Sequence, residues 1–221
     1  SMTVPMGRAA DEPGLILEPY QVLEVMPLIA RAARRLKQHR IRLWPGNDIG
    51  YFGPYETELR GRMPRGHMAA CGAGRLTLGI EADGSIKGCP SLPTRDYVGG
   101  SVRDDRLVDI WERAGALRFT RERNRDDLWG YCAGCYYGDD CLGGCSWTAH
   151  VVFGRTGNNP FCHHRALELL REGKRERLVL ETPAEGKPFD HGIFALVTED
   201  WPTDELEQAR RVAETGEGWL R

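Results

Sequence analysis

The residues of this 221-residue chain with the clearest chemical potential are its seven cysteines. Thiolates are soft ligands that select zinc, copper(I) or iron–sulfur clusters. The order is Cys71-x12-Gly84-x4-Cys89, then Cys132-x2-Cys135-x5-Cys141-x3-Cys145, then Cys162. Four cysteines within 14 residues, with three more at defined distances, indicate a metal-binding region far more strongly than one isolated pair would.

The number of cysteines bears on what they bind. An odd number fits poorly with a closed disulfide framework, and without a secretory signal the reducing cytosol is the expected compartment. Structural zinc takes four protein ligands, which leaves a remainder of three. A four-iron cluster can be held by three cysteines with its fourth iron open, so seven divides as four plus three. A zinc-stabilised interaction module is the alternative, and an oxidised, disulfide-rich binding domain is a third reading.

The first two cysteines lie at the ends of a predicted β-hairpin. Two strand-like runs, 76–82 and 85–89, flank the turn pair Asp83-Gly84. Asp-Gly is a strong hairpin signal because glycine accepts the positive φ of a tight turn. Cys71 precedes the first strand and Cys89 ends the second, so strand pairing is expected to bring their sulfurs close together.

The remaining elements are predicted from periodicity and from Gly and Pro positions. They are a helix over 19–39 with a kink or restart at Pro27, a strand at 41–44, a linker over 45–70, a helix from about 104 to 117, a helix over 162–171, a strand at 193–197 and a tail helix from about Thr203. Residues 130–162, which hold five of the seven cysteines, show little regular pattern. The initial helix and strand are typical of one unit of an α/β barrel.

The cysteine spacing resembles the seven-cysteine SPASM motif of radical S-adenosylmethionine (SAM) enzymes. Every spacing from Cys71 to Cys162 falls inside that pattern, and its glycine is present as Gly84. The resemblance implies two auxiliary [4Fe-4S] clusters with interleaved ligands. It assigns Cys71, Cys89 and Cys145 to the cluster nearer the barrel, and Cys132, Cys135, Cys141 and Cys162 to the outer cluster.

Many members of that family place an eighth cysteine just upstream of the first motif cysteine. Residues 62–70 contain none here, so the three-cysteine cluster is expected to keep one open iron. That iron could take solvent, a substrate group or His67, although a surface-loop role is the better interpretation of this histidine.

A radical SAM core needs C-x3-C-x2-C to hold the cluster that cleaves SAM. Cys141-x3-Cys145 begins that pattern, but the next position is Thr148, and no other triplet exists in the sequence. The chain alone is therefore not expected to be catalytic, and SAM with a third cluster is expected in a core domain outside it. A piece of a longer enzyme, with Ser1-Met2 as a tag remnant, is favoured over a natural protein that lost its barrel.

The resemblance implies electron transfer and substrate binding during the modification of a peptide or protein. The expected partners are that substrate, a radical SAM core in cis and an external electron carrier. The net charge of −2 indicates no general affinity for nucleic acid, and no run of 18 apolar residues predicts a membrane span. A cytoplasmic location is expected.

Other residues near these cysteines are given supporting roles. His163-His164 is interpreted as a hydrogen-bonding or packing pair rather than as ligands, and Asp139-Asp140 as part of a solvated loop. Gly143-Gly144 is expected to let the backbone approach the sulfurs and donate N–H groups. The aromatic side chains predicted to shield the clusters, with a substrate-facing surface as the alternative, are Trp129, Tyr131, Tyr136, Tyr137 and Trp147.

The expected fold class is α+β: a small SPASM-type domain with a β-hairpin and helices around metal sites, preceded by a remnant of a partial α/β barrel. The predicted divisions are residues 1–2 as tag remnant, 3–62 as barrel end and linker, 63–175 as SPASM domain and 176–221 as a C-terminal extension.

Overall fold

The computed structural model of the chain describes residues 5–43, 45–46, 48–61, 70–187 and 190–216. The α-helices are α1 Val22–Gln38, α2 Glu56–Arg60, α3 Thr94–Tyr97, α4 Leu107–Arg113, α5 Gly115–Glu122, α6 Tyr131–Gly134, α7 Gly138–Cys141, α8 Ser146–Phe153, α9 His163–Arg171 and α10 Thr203–Thr215. The strands are β1 Gly79–Ile80, β2 Ser85–Lys87, β3 Val98–Ser101, β4 Lys174–Thr182 and β5 Ile193–Asp200. Short 3-10 helices cover Gly7–Asp11, Pro13–Leu15, Pro19–Gln21, Gly53–Tyr55 and Arg125–Asp127. His67 and Trp44 lie outside the described residues.

The strands form two small antiparallel sheets, which together with the helices agree with an α+β class. The predicted hairpin is present: β1 pairs with β2 in the register Gly79↔Lys87, and Gly84 has the positive φ of +91° that its turn requires. β3 adds a third strand against β2, which the sequence did not indicate. β4 and β5 form the second sheet, of which only the β5 part was predicted.

Several predicted elements differ from the structure. α1 runs through Pro27 without restarting, and the described residues 41–43 of the expected strand at 41–44 are in no strand. The predicted helix over 104–117 is two helices, because Ala114 between α4 and α5 adopts an extended conformation. The expected linker over 45–70 is also a poor description, since Phe52 and Glu56 are fully buried. Their burial makes residues 48–60 part of the packed structure.

The main hydrophobic core joins the two ends of the described chain. Its buried side chains come from α1, from the 49–52 segment, from α8 and α9, and from the C-terminal residues around α10. They include Leu23, Phe52, Val152, Phe161 and Trp201. A smaller core of Ile86, Ile110 and Leu117 lies between the three-stranded sheet and α4 and α5.

Two helices of this core, α8 and α9, have a cysteine directly before their first residue. Cys145 immediately precedes α8, and Cys162 immediately precedes α9. The packing of these helices therefore fixes where the two cysteines begin. Among the described residues, no helix combines the length and apolar character needed to cross a membrane.

Candidate metal centre

Cys145 and Cys162 occupy the N-cap positions of α8 and α9. The N-terminal end of a helix carries partial positive charge and exposed N–H groups, which favour a thiolate over a thiol. The backbone N–H of Arg165 favours the thiolate of Cys162, and the Thr148 hydroxyl and N–H favour that of Cys145. Burial raises the pKa of both thiols, and these donors offset part of that rise.

Four thiols share one neighbourhood. Burial, followed by the charges of Cys162, Cys132 and Cys135, raises the pKa of Cys141. Burial, with Cys162 as the next cause, raises the pKa of Cys132 to about 12. Burial also raises the pKa of Cys162, and the charge of Cys135 adds to that rise. The structure therefore brings together Cys132, Cys135, Cys141 and Cys162, a group called the four-thiol set below.

Each sulfur of the four-thiol set faces a backbone N–H group that favours its thiolate. The groups belong to Asn159 for Cys132, Tyr137 for Cys135, Gly144 for Cys141 and Arg165 for Cys162. Hydrogen bonds to sulfur stabilise the ligated form and are one determinant of the reduction potential of an iron–sulfur cluster. The Gly144 N–H takes the role that the Gly143-Gly144 pair suggested.

The other three cysteines come from distant parts of the chain. They are Cys71, Cys89 and Cys145, and they are called the three-thiol set below. Burial raises the pKa of Cys145, hydrogen bonds from Thr148 lower it, and the charge of Cys71 raises it further, so these two sulfurs share one neighbourhood. For Cys89 the structure gives a backbone position. Gly74 N–H donates to the Gly88 carbonyl at 3.1 Å, which ties the segment after Cys71 to the residue before Cys89.

All seven cysteines are free and half-buried. Among the described residues, no group of three Cys, His, Asp or Glu side chains could hold a metal ion. Tetrahedral zinc needs its sulfurs about 2.3 Å from a single point, whereas a four-iron cluster binds each sulfur at a different iron. Four free thiols in mutual electrostatic contact, each with an N–H donor, are a donor set that fits a cluster.

The buried Arg165 and the half-buried Arg60 lie beside the four-thiol set, and each has a glutamate partner. Arg165 faces Glu176 with Nε–Oε2 and Nη2–Oε1 distances of 2.6 Å, and Arg60 lies 3.2 Å from Glu56. The Arg165 charge favours the thiolates of Cys132, Cys135 and Cys162. Sequence reasoning missed both arginines, because only the fold brings their positions to the cysteines.

An aromatic group lies over the four-thiol set. Tyr51 and Tyr137 stack with ring centroids 4.1 Å apart, and His164 meets Tyr137 edge-on at 4.9 Å. Burial, followed by the charges of Cys135 and Cys162, raises the pKa of Tyr131. Sequence reasoning missed Tyr51, although three aromatic residues within 51–55 argue against an exposed linker.

The other three aromatic residues that were predicted to shield the clusters have different surroundings. Tyr136 touches Tyr137 at 5.0 Å between ring centroids but is 82% exposed. Trp129 packs edge-on against Phe153 at 5.1 Å and donates its Nε1–H to the Thr156 carbonyl. Trp147 borders the main hydrophobic core.

The polar residues flagged beside the cysteines have other partners. His163 is fully buried, and its Nδ1 lies 3.1 Å from the Phe52 carbonyl, so that nitrogen carries the hydrogen. Burial lowers the pKa of His163 to about 4, so the ring is neutral at pH 7. Asp139 is exposed and pairs with Arg125, whose Nη1 also donates to the Cys135 carbonyl at 3.1 Å. Arg125 thereby fixes the loop between α6 and α7.

Comparison with known proteins finds a similarity over part of this region. Residues 71–136 match the model of SPASM, an iron–sulfur cluster-binding domain. The match includes Cys71, Cys89, Cys132 and Cys135 and ends before the other three cysteines.

Curated relatives match over a similar length. Mycofactocin maturase MftC of Mycobacterium ulcerans is 34% identical over 76 residues, which cover 34% of this chain and 20% of the relative. The maturases of Mycobacterium tuberculosis (strain H37Rv) and Mycolicibacterium smegmatis are each 32% identical over 76 residues, or 19% of their length. The chain thus matches about a fifth of these relatives. No solved structure matches it significantly. Residues 71–136 are thus similar to the SPASM iron–sulfur cluster-binding domain.

Proposed function

We propose that the chain binds two [4Fe-4S] clusters, one through the four-thiol set and one through the three-thiol set. We further propose that these clusters serve electron transfer and substrate binding while a radical SAM core modifies a peptide or protein. The observation that carries the proposal is the grouping of Cys132, Cys135, Cys141 and Cys162, four free thiols in mutual electrostatic contact within and just beyond a SPASM match.

The residues around the four-thiol set have defined tasks in this proposal. Burial raises the pKa of Cys162, and the N–H groups at the start of α9 offset part of that cost when the thiolate binds metal. The four backbone N–H groups hold the sulfurs in their ligating orientation, while Tyr51 and Tyr137 restrict the access of water. When bound, the clusters supply one-electron transfer. The ion pair of Arg165 and Glu176 lies behind these cysteines, and its two charges cancel.

An open cleft supports a substrate role beside the three-thiol set. Its volume is about 620 Å³, and its walls include Tyr97, His150, Arg155 and His191. The Tyr97 hydroxyl and His150 Nδ1 lie 3.1 Å apart. The charge of Cys71 is among the causes that raise the pKa of Tyr97, after burial, so one wall of the cleft is near this sulfur. A peptide bound there would lie close to the three-thiol set.

The wider organisation is also a proposal. α1 would be the last helix of a partial barrel, residues 63–175 the SPASM domain and 176–221 an extension. In the described residues, β4, β5 and α10 pack on α9, α8 and α1, so the extension shares its core with the N-terminal part. The relatives named as mycofactocin maturases motivate a peptide substrate for the full enzyme to which this chain would contribute.

The test is metal and sulfide analysis after anaerobic reconstitution, with EPR of the reduced protein. Roughly eight iron and eight sulfide per chain, with two [4Fe-4S] signals, are expected. About four of each would contradict the second cluster. Zinc without acid-labile sulfide under the same anaerobic conditions would replace the proposal with a zinc-stabilised module.

A further inference from the structure

Arg123 is a buried cation whose hydrogen bonds all go to neutral acceptors. The residue is 8% exposed. Its Nη1 donates to Ser146 Oγ at 3.1 Å and to the Leu142 carbonyl at 3.4 Å, and its Nη2 donates to Thr156 Oγ1 at 2.7 Å. Within the described part of the chain, no carboxylate forms an ion pair with this guanidinium. A buried charge in such a position is costly unless another charge balances it.

The contrast with Arg60 and Arg165 makes this unusual. Each of them contacts a buried glutamate, so the fold itself neutralises them. Both lie beside the four-thiol set, where their charges act on its cysteines. Near Arg123, by comparison, the carboxylate of Asp127 is exposed and accepts a hydrogen bond from the backbone N–H of Asn124.

The neighbours of Arg123 indicate which groups could balance its positive charge. Its acceptors Ser146 and Leu142 lie just after Cys145 and just after Cys141 in the sequence. Burial lowers the pKa of Arg123, while the charges of Cys71, Asp127 and Cys145 act in the opposite direction. Two cysteines of the three-thiol set are therefore among its anionic neighbours.

We propose that Arg123 is a positioning residue that balances the negative charge of the three-thiol set. Its hydrogen bonds to Ser146 and Thr156 hold the guanidinium near Cys71 and Cys145. This inference rests on the proposed function. With Cys71 and Cys145 deprotonated as cluster ligands, the guanidinium gains a negative charge that no carboxylate of the described residues provides. An arginine remains protonated at all ordinary pH values, so this balance does not depend on pH.

The consequence concerns the reduction potential. One electron from dithionite adds one negative charge to this site, and no proton is required. A nearby cation that has no carboxylate partner stabilises the reduced state of the cluster, because cluster potentials depend on local charge and on hydrogen bonds to sulfur. The three-thiol site should therefore be reduced at a higher potential than it would be without Arg123. The four-thiol site, whose nearby arginines are paired, should not depend on this residue.

The experiment is a dithionite titration of the reconstituted protein, followed by EPR, in R123Q, R123K and R118Q. The Cys71→Ser variant first assigns which signal belongs to the three-thiol set. In R123Q the reduced-to-oxidised ratio of that signal should fall at least tenfold at a fixed potential, which is about 59 mV for one electron. R123K should restore most of the ratio. R118Q, which removes an exposed arginine from the helix that ends just before Arg123, should change neither signal.

A second measurement keeps the test valid if R123Q loses the cluster. R123M should lower the thermal midpoint of the cluster-loaded protein more than that of the iron-free protein, because the iron-free site leaves the charge unbalanced. Equal losses in both forms, an unshifted potential in R123Q, or equal shifts in R123Q and R123K would overturn the inference. Failure of the wild-type chain to take up two clusters would instead overturn the proposed function.

Discussion

The four-thiol set and the three-thiol set differ in how the chain assembles them. The first is drawn from the continuous segment between Cys132 and Cys162, closed by the helix that starts after Cys162. The second needs the segment before the hairpin, the end of the hairpin and the start of α8. The first is thus formed largely by local structure, whereas the proposed second site would assemble only when the small core behind the hairpin has packed. Metal binding should consequently order the first site earlier than the second.

The two sets also differ in the charges that the fold places around them. The arginines beside the four-thiol set have buried glutamate partners, whereas Arg123 beside Cys71 and Cys145 has neutral partners. A protein that neutralises one site internally and leaves a cation at the other has two centres with different electrostatic environments. Substitutions that act on one set and spare the other therefore test the comparison most directly.

The largest expected effect is in Cys162→Ser. Serine is a good N-cap residue, so α9 should keep its start while the four-thiol set loses one ligand. Because three cysteines can still hold a four-iron cluster with one open iron, we expect the EPR signal of the four-thiol set to change and that of the three-thiol set to stay as it is. The measurement is iron and sulfide analysis with EPR after anaerobic reconstitution.

The matched control for Cys162→Ser is Tyr136→Phe, because Tyr136 is exposed beside the same set and should leave the iron content unchanged. Loss of both signals in Cys162→Ser would contradict two separately assembled sites. The reverse variant, Cys71→Ser, should keep the four-thiol signal.

The next effect is that of Glu176→Gln, which leaves the buried Arg165 without its carboxylate. Breaking a buried ion pair in this way typically costs about 3–5 kcal/mol, so we expect a loss of that order in the iron-free protein. With clusters bound the loss should be smaller, because the thiolates of Cys132 and Cys162 supply negative charge to Arg165. Urea unfolding of both forms measures the difference.

Glu207→Gln is the control for that comparison, since its exposed pair with Arg210 should contribute no more than about 1 kcal/mol. If Glu176→Gln lost the same stability with and without iron, the thiolates would not lie close enough to replace the glutamate.

The sequence predicted the parts of this architecture that depend on local chemistry. Asp83-Gly84 predicted the hairpin, which the structure confirms, because the turn requires the positive φ of Gly84. The SPASM resemblance is confirmed over residues 71–136. The division of the cysteines into sets of four and three stays a prediction until the clusters are counted.

The parts that the sequence did not predict depend on long-range packing. β3 contains Gly99-Gly100, which has low strand propensity. The strand can pack closely against Leu117 of α5 because Gly99 has no side chain, and a Cβ at this position would clash with Leu117. Arg123 donates a hydrogen bond to Thr156, which lies 33 residues later in the sequence, and no local sequence pattern predicts such a contact.

A smaller effect, shared by both sets, is expected for Gly143→Ala. Gly143 has a φ of +75°, and an added Cβ would lie 2.6 Å from the backbone of Gly157. The turn joins Cys141 of one set to Cys145 of the other, so its distortion should weaken both clusters. We expect a destabilisation of about 2 kcal/mol and a parallel loss of both EPR signals.

Gly134→Ala provides the matched comparison for Gly143→Ala. Gly134 is the last residue of α6, between Cys132 and Cys135, and a Cβ there would meet nothing within 4 Å. Its stability should be unchanged or slightly increased, since alanine favours helix. A large loss in Gly134→Ala would show that this position needs glycine for a reason other than space.

The smallest expected effect is a pH dependence confined to the iron-free protein. Burial and the charge of Cys162 raise the pKa of Cys132 from 9.0 to about 12, so the folded state holds this proton more tightly than the unfolded chain does. The resulting stability is complete below pH 9 and is lost as the pH rises toward 12. Between pH 8 and pH 10 the iron-free protein should lose about 1 kcal/mol from this group, measured by urea unfolding. The cluster-loaded protein should not show the loss, because its ligating cysteines are already deprotonated. A Cys132→Ser variant that kept the full pH dependence would assign the effect to another thiol of the set.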